Sequence, residues 1–237
     1  MLHQLNLEHI LFLDIETVPE QEAFEDLSPV KQKLYSDKTQ YQRKEDFTAE
    51  EFYDRAGIWA EFGKIVCISV GYFNFKGSER KFRTTSFFGE EEDLLKRFKI
   101  LVEDYFGLPQ HLMCGHNAKE FDFPYIARRM LIHGISLPEK LQLFGKKPWE
   151  IPHLDTLELW KFGDYKHYTS LKLLTELFNI PSPKDDIDGS QVRDVYYKEK
   201  DIDRIVTYCE KDVIAVAQVI LKLRQEALLE KHELISV

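Results

Sequence analysis

The sequence predicts an α/β protein, a mixed sheet flanked by helices. Three observations lead there. An apolar run at residues 10–13 has strand character. Two longer strand-like runs follow, joined by a tight turn. Beyond them, short apolar strands alternate with amphipathic helices as far as one long C-terminal helix.

Taken in order, Ile10, Leu11, Phe12 and Leu13 form the first strand. Residues 20–62 are rich in Lys, Glu, Gln and Tyr and poor in Leu, Ile and Val, so a broken helix packed as a peripheral insertion is expected. Residues 64–89 read as two antiparallel strands about Lys76-Gly77-Ser78. Residues 90–107 have helical periodicity, acids in the first turn and Gly107 at the end. "HLMCGHN" is a short strand, and residues 121–134 are a helix with Pro124 in its first turn and Gly134 as its stop. "IPHLDTLEL" contains another short strand. Thr169 and Ser170 cap a helix that Pro181 ends, and residues 201–232 form the long last helix. Residues 181–194, "PSPKDDIDGSQVRD", are the one Pro/Ser/Asp-rich loop, a candidate mobile segment near a site.

At 237 residues, 43% hydrophobic and 31% charged, the chain suits one large domain and can bury a core without staples. Cys67, Cys114 and Cys209 are far apart and form no C-x-x-C pair, so they are expected reduced and buried, in a reducing compartment. No secretory signal is visible, and the longest apolar stretch, "IVCISVGYF", is too short to span a bilayer. A soluble, cytoplasmic protein is expected, with no membrane partner. The net charge of −9 argues against coating nucleic acid through a general positive field. It leaves room for an enzyme that grips one strand end through metal ions that reverse the local sign.

The first strand runs straight into "LFLDIETVPE". Asp14 and Glu16, at i and i+2, share one strand face. Tyr208 and Asp212, at i and i+4, share a helix face bordered by Ile205, Cys209, Val213 and Val216. Asp122 stands at a helix start just after a strand, and Asn117 at the strand end. Four acids gather in one place only if cations neutralise them, and hard oxygen ligands select Mg²⁺ or Mn²⁺. Two such ions about 3.5–4 Å apart form the clamp used for phosphodiester cleavage. A tyrosine at the edge can orient the attacking water.

"DIET", "GHNAKEFDFPYIARR" and "YCEKD" resemble, in order, the three exonuclease motifs of the DEDD superfamily, in its tyrosine form. The chain most resembles the stand-alone predicted 3′-5′ exonucleases related to the proofreading domain of family-B DNA polymerases, from about Leu11 to Leu223, with residues 20–62 least covered. The resemblance implies a ribonuclease H-like fold with a five-stranded mixed sheet, in a single exonuclease domain over residues 1–237. It implies that Asp14, Glu16 and Asp212 bind one metal, that Asp14 and Asp122 bind a second, and that Tyr208 orients the nucleophile. Asn117 and Phe121 would contact or flank the terminal nucleotide, and Thr17 would meet its sugar through the backbone. Polymerisation is not expected, because no palm, fingers or thumb is seen.

Two further readings stay open: an exoribonuclease, and a module that binds nucleic-acid ends with little turnover. The substrate expected is the 3′ end of single-stranded DNA, with RNA as the alternative. Of the other polar residues, His116 is expected to be a structural strand-end histidine, and His167 an exposed loop residue. Asp155 is read as a cap rather than a ligand, and His153 likewise as no ligand. Arg128 and Arg129 are read as helix-surface charges of which one could reach phosphate. Lys146, Lys147 and Trp149 make a basic-aromatic loop suited either to a single strand or to solvent. Lys81 and Arg83 are expected to face solvent.

Overall fold

The computed structural model describes residues 2–43, 46–77, 79–164, 166–181 and 187–237. Ser78 of the expected turn and residues 182–186 of the expected mobile loop lie outside them.

The first strand, β1 (Ile10–Pro19), is longer than its apolar run. Alternation carries on through the acids: Leu11, Leu13 and Ile15 point to one face, and Ile10, Phe12, Asp14 and Glu16 to the other. The strand persists because β2 (Gly63–Lys76) pairs antiparallel along it, from Phe12↔Gly71 to Pro19↔Gly63. β2 returns as β3 (Glu79–Phe88), with Lys76 opposite Glu79. Gly77 sits there at φ +63°, where a residue without Cβ is favoured.

On its other edge β1 pairs parallel with β4 (Leu112–Gly115), which reaches only as far as Phe12↔Cys114. β5 (Leu154–Asp155) lies parallel outside β4. β6 (Leu234–Ser236) lies parallel outside β3. The described residues thus form a six-stranded mixed sheet in the order β5-β4-β1-β2-β3-β6, not the five-stranded one expected. The sixth strand follows from an early end to the last helix, α7 (Ile202–Leu223), which stops nine residues short of the expected 232. Gln225 turns left-handed at φ +56°, and the amide of Gln218 holds Leu229 by both its backbone groups. Arg80 then clips the tail to β3 through Glu233 and the carbonyls of Ala227 and Leu228.

Helices α2 (Glu91–Phe106) and α3 (Asp122–Ile132) cover the face of Leu11, Leu13 and Ile15 with Leu94, Phe98, Val102, Phe123, Ile126 and Met130. α7 covers the other face, setting Val213, Val216, Ala217 and Ile220 against Ile10, Phe12, Phe73 and Phe82. α4 (Thr156–Lys161) and α5 (Leu171–Leu177) follow β5. α5 begins at the cap Ser170 and ends at Leu177 before Pro181, because Asn179 turns left-handed at φ +50°. The short α6 (Val192–Asp194) leads to α7.

Within residues 20–62, α1 (Pro29–Arg43) and two short turns wrap an aromatic cluster. Tyr35 is fully buried there, with the rings of Phe24, Tyr53, Trp59 and Phe62 at 5.2–6.0 Å. Aromatic area replaces the missing aliphatics. Arg129 belongs to this junction and not to a phosphate site. It is buried, pairs with Glu91 and donates to the carbonyl of Ala60 at 2.9 Å, while Arg128 alone is exposed. No helix among the described residues is long and apolar enough to cross a membrane.

Candidate active site

β4 ends at Gly115, so the edge of β1 beyond Phe12 has no strand beside it. The amide of Ile15 there needs another acceptor. It donates to Oδ1 of Asp122 at 3.1 Å, which fixes the first turn of α3 over the gap. Gly115 makes the approach possible: a Cβ at that position would lie 2.5 Å from Ala118 Cβ and 3.1 Å from the carbonyl of Leu13. On the other edge, the register with β2 shifts between Glu16 and Thr17, a β-bulge that adds twist where the acids stand.

Asp14 and Glu16 face α7, whose Tyr208, Cys209 and Asp212 meet them. Ligand atoms of Asp14, Glu16 and Cys209 all lie within 4.8 Å of one another. Tyr208 donates its hydroxyl to Asp212. Glu16 and Asp122 are buried, at 8% and 4% exposure, and Asp14 is partly open.

The charges of this group oppose one another. Burial, and then the carboxylates of Asp122, Glu16 and Asp212, push Asp14 well above the usual range. Burial and Asp212 do the same to Glu16. Asp122 is raised to about 7, chiefly by burial, with the charges of Asp155 and Asp212 adding to it and the amides of Asp122 and Ile15 working against it. Burial first, and then Asp212, Glu16 and Asp14, push the phenol of Tyr208 far up. A buried set of mutually repelling oxygen donors is the chemistry that a hard divalent cation fits.

Around the acids, Asn117 sits left-handed at φ +61°, and its amide donates to Asp155 Oδ1 at 2.9 Å. Asp155 Oδ2 accepts from Lys119 N at 3.0 Å, and Asp155 Oδ1 also caps α4 through Leu157 N at 2.9 Å and Glu158 N at 3.4 Å. Asp155 is therefore the cap expected of it, and more: it ties the turn carrying Asn117 to β5. Phe121 precedes Asp122 and packs on Tyr125 at 5.3 Å. The hydroxyl of Thr17 donates to Tyr125, whose own hydroxyl donates to the carbonyl of Gly57 at 2.8 Å.

The bland expectations for the histidines hold. His116 contacts Thr156 Oγ1 and the carbonyl of Thr169, both at 2.9 Å. His153 accepts from Met113 N and reaches the carbonyl of Lys140 at 2.7 Å. His167 is exposed beside Asp164. Lys147 lies over the exposed ring of Trp149 at 5.2 Å. Lys81 is partly exposed on the outer side of β3, donating to the carbonyl of His232 at 3.0 Å. Two residues near the acids escaped the sequence reading. Cys209 borders the Tyr208–Asp212 face in the sequence, but nothing there marks its contact with Asp14. Tyr168 is 66% exposed, meets His116 edge-on at 6.2 Å and feels the charges of Asp155 and Asp122. Its place just before the cap Ser170 was the available signal.

The family described as "Predicted 3'-5' exonuclease related to the exonuclease domain of PolB" matches residues 58–233. The chain belongs to that family. The match covers Asp122, Tyr208 and Asp212, while Asp14 and Glu16 of this PolB-related chain precede it. Among solved structures, a family B DNA polymerase from the hyperthermophilic archaeon Pyrobaculum calidifontis is similar in fold, with a TM-score of 0.56 at 16% identity. The likeness covers 90% of this chain and 24% of the polymerase chain. No curated protein matches the chain significantly.

Proposed function

We propose that this protein is a metal-dependent 3′-5′ exonuclease that removes nucleotides from single-stranded DNA ends, as one domain over residues 1–237 with residues 20–62 as its periphery. The observation that carries this reading is the meeting of Asp14, Glu16, Asp122 and Asp212, from three elements, with Tyr208 bonded to Asp212. Asp14, Glu16 and Asp212 would hold one divalent cation, and Asp14 and Asp122 a second, Mg²⁺ or Mn²⁺ in each case. Such a pair supplies charge neutralisation at the phosphate and an activated water.

The chain's own residues do the positioning. Tyr208 stays protonated at neutral pH, so its part is to orient the nucleophile rather than to act as a base. The β1 backbone at Thr17 is offered to the terminal sugar, and Asn117 and Phe121 flank the terminal nucleotide. Tyr168 stands at the rim as a stacking surface. Three free, buried cysteines favour a reducing compartment, the cytoplasm.

The test uses 5′-labelled single-stranded DNA and RNA with Mg²⁺, Mn²⁺ or EDTA. Stepwise shortening of DNA from the 3′ end, abolished by EDTA, is expected. Faster loss of RNA would reassign the substrate, and tight binding without cleavage would replace the enzyme with an end-binding module.

A further inference from the structure

One buried group beside the acids has no task in that mechanism. Cys209 lies on α7 between Tyr208 and Asp212 and is fully buried. Its Sγ is 3.5 Å from Oδ2 of Asp14 and 3.4 Å from the carbonyl of the same residue, both within reach of an S–H donor. Behind it stands the thiol of Cys67 on β2, followed by Ser69 at 3.6 Å, Ser86 at 2.8 Å and Glu210 at 2.9 Å. A file of polar groups thus runs from Glu210 on α7, along the sheet face beneath that helix, and ends on Asp14.

Asp14 is the acid most in need of a fixed pose. It faces the charges of Asp122, Glu16 and Asp212, and the side-chain hydrogen bond that favours its ionised form comes from Cys209. A carboxylate among like charges turns away from them unless something holds it. The kind of donor matters as well. An ammonium binds a carboxylate oxygen firmly and competes for its lone pairs. A thiol is a weak donor acting over a long distance, so it orients the group and leaves its lone pairs available.

We propose that Cys209 is a positioning residue, whose thiol holds the Asp14 carboxylate in the pose that receives a divalent cation. This rests on the reading of Asp14 as a metal ligand. Groups that orient ligands from behind commonly govern metal affinity.

The test is Mn²⁺ affinity, by calorimetry or electron paramagnetic resonance, in the full chain and in D14N, C209A, C209V, C209S and C67A. D14N should lose the binding signal. C209A and C209V both remove the donor, and the second keeps the bulk, so a folding defect in one leaves the other readable. Each should weaken Mn²⁺ binding by about 10-fold. C209S restores a donor and should bind within roughly threefold of the parent. C67A removes the neighbouring thiol without touching Asp14 and should bind as the parent does. The Mn²⁺ concentration for half-maximal activity should rise in C209A, with the rate at saturating Mn²⁺ recovering. Parent-like affinity in C209A and C209V, with D14N blind to Mn²⁺, would overturn the role of Cys209 and leave Asp14 a ligand. C209S no better than C209A would overturn it too. Intact binding in D14N would remove the ligand reading and this inference together.

Discussion

Asp155 and Asp122 stand at the edges of one gap in the sheet, and they are almost equally buried, at 2% and 4% exposure. Their surroundings differ. Asp155 accepts four backbone amides, from Asn117, Lys119, Leu157 and Glu158. Asp122 accepts from Ile15 and its own amide and faces other carboxylates. Burial of an acid costs little when amides replace water, and a great deal when like charges do. The first arrangement builds the fold. The second leaves a demand for positive charge that the surrounding acids do not meet, and that demand marks a site.

The largest effect expected on the acid side of this contrast is on rate. Asp212→Ala should lower exonuclease turnover by roughly three orders of magnitude or more. Its fold should survive, because the change removes one charge from a repelling set. Circular dichroism beside a single-turnover assay separates the two effects, and loss of fold with loss of rate would make Asp212 structural, like Asp155. Tyr208→Phe is expected to be milder, about 10- to 1,000-fold in rate. Mn²⁺ binding, read by calorimetry, should be unchanged. Full activity would remove the hydroxyl from catalysis, and lost metal binding would place Tyr208 among the ligands.

A smaller effect is a pH trend in stability. The carboxyl of Asp122 titrates at about 7 in the fold against an ordinary 3.8. A raised carboxyl favours the folded state at low pH, and the advantage is lost as pH rises through about 7. Asp14 and Glu16 are shifted in the same direction. Metal-free Tm should therefore fall between about pH 5 and pH 8, and Mn²⁺ should raise Tm more at pH 8 than at pH 6. Equal gains at both values would show that the acids do not repel one another as placed.

Much of this was legible in the sequence. The spacing of Asp14 with Glu16 and of Tyr208 with Asp212 fixes which side chains share a face, because alternation and the helical turn are local rules. The hairpin at Gly77, the cap at Ser170 and the capping of α4 by Asp155 are local as well. What escaped depends on distant partners. The apolar run marks β1 only from Ile10 to Leu13, and the pairing with β2 carries it to Pro19. Leu234, Ile235 and Ser236 are too few to show alternation, and β6 exists because Arg80 holds the tail from more than 140 residues away. Arg129 reads as a surface charge until Glu91 is brought beside it. The contact of Cys209 with Asp14, across 195 positions, leaves no trace in either neighbourhood.

The contrast is tested most directly by one paired measurement on Asp122→Asn and Asp155→Asn: Tm without metal at pH 8, and Mn²⁺ affinity. An amide at 122 still accepts from Ile15 and removes one repelling charge, so metal-free Tm should hold or rise, by about 2–4 °C for each kcal/mol recovered in a chain of this size. The second Mn²⁺, which Asp14 and Asp122 would share, should be lost. An amide at 155 puts an NH₂ group where an oxygen accepts a backbone amide, so Tm should fall by roughly 5 °C or more. Mn²⁺ binding by the folded protein should remain. The opposite pattern, with Asp122→Asn destabilised and still binding both Mn²⁺ ions while Asp155→Asn stays stable and loses them, would contradict the assignment of the two acids.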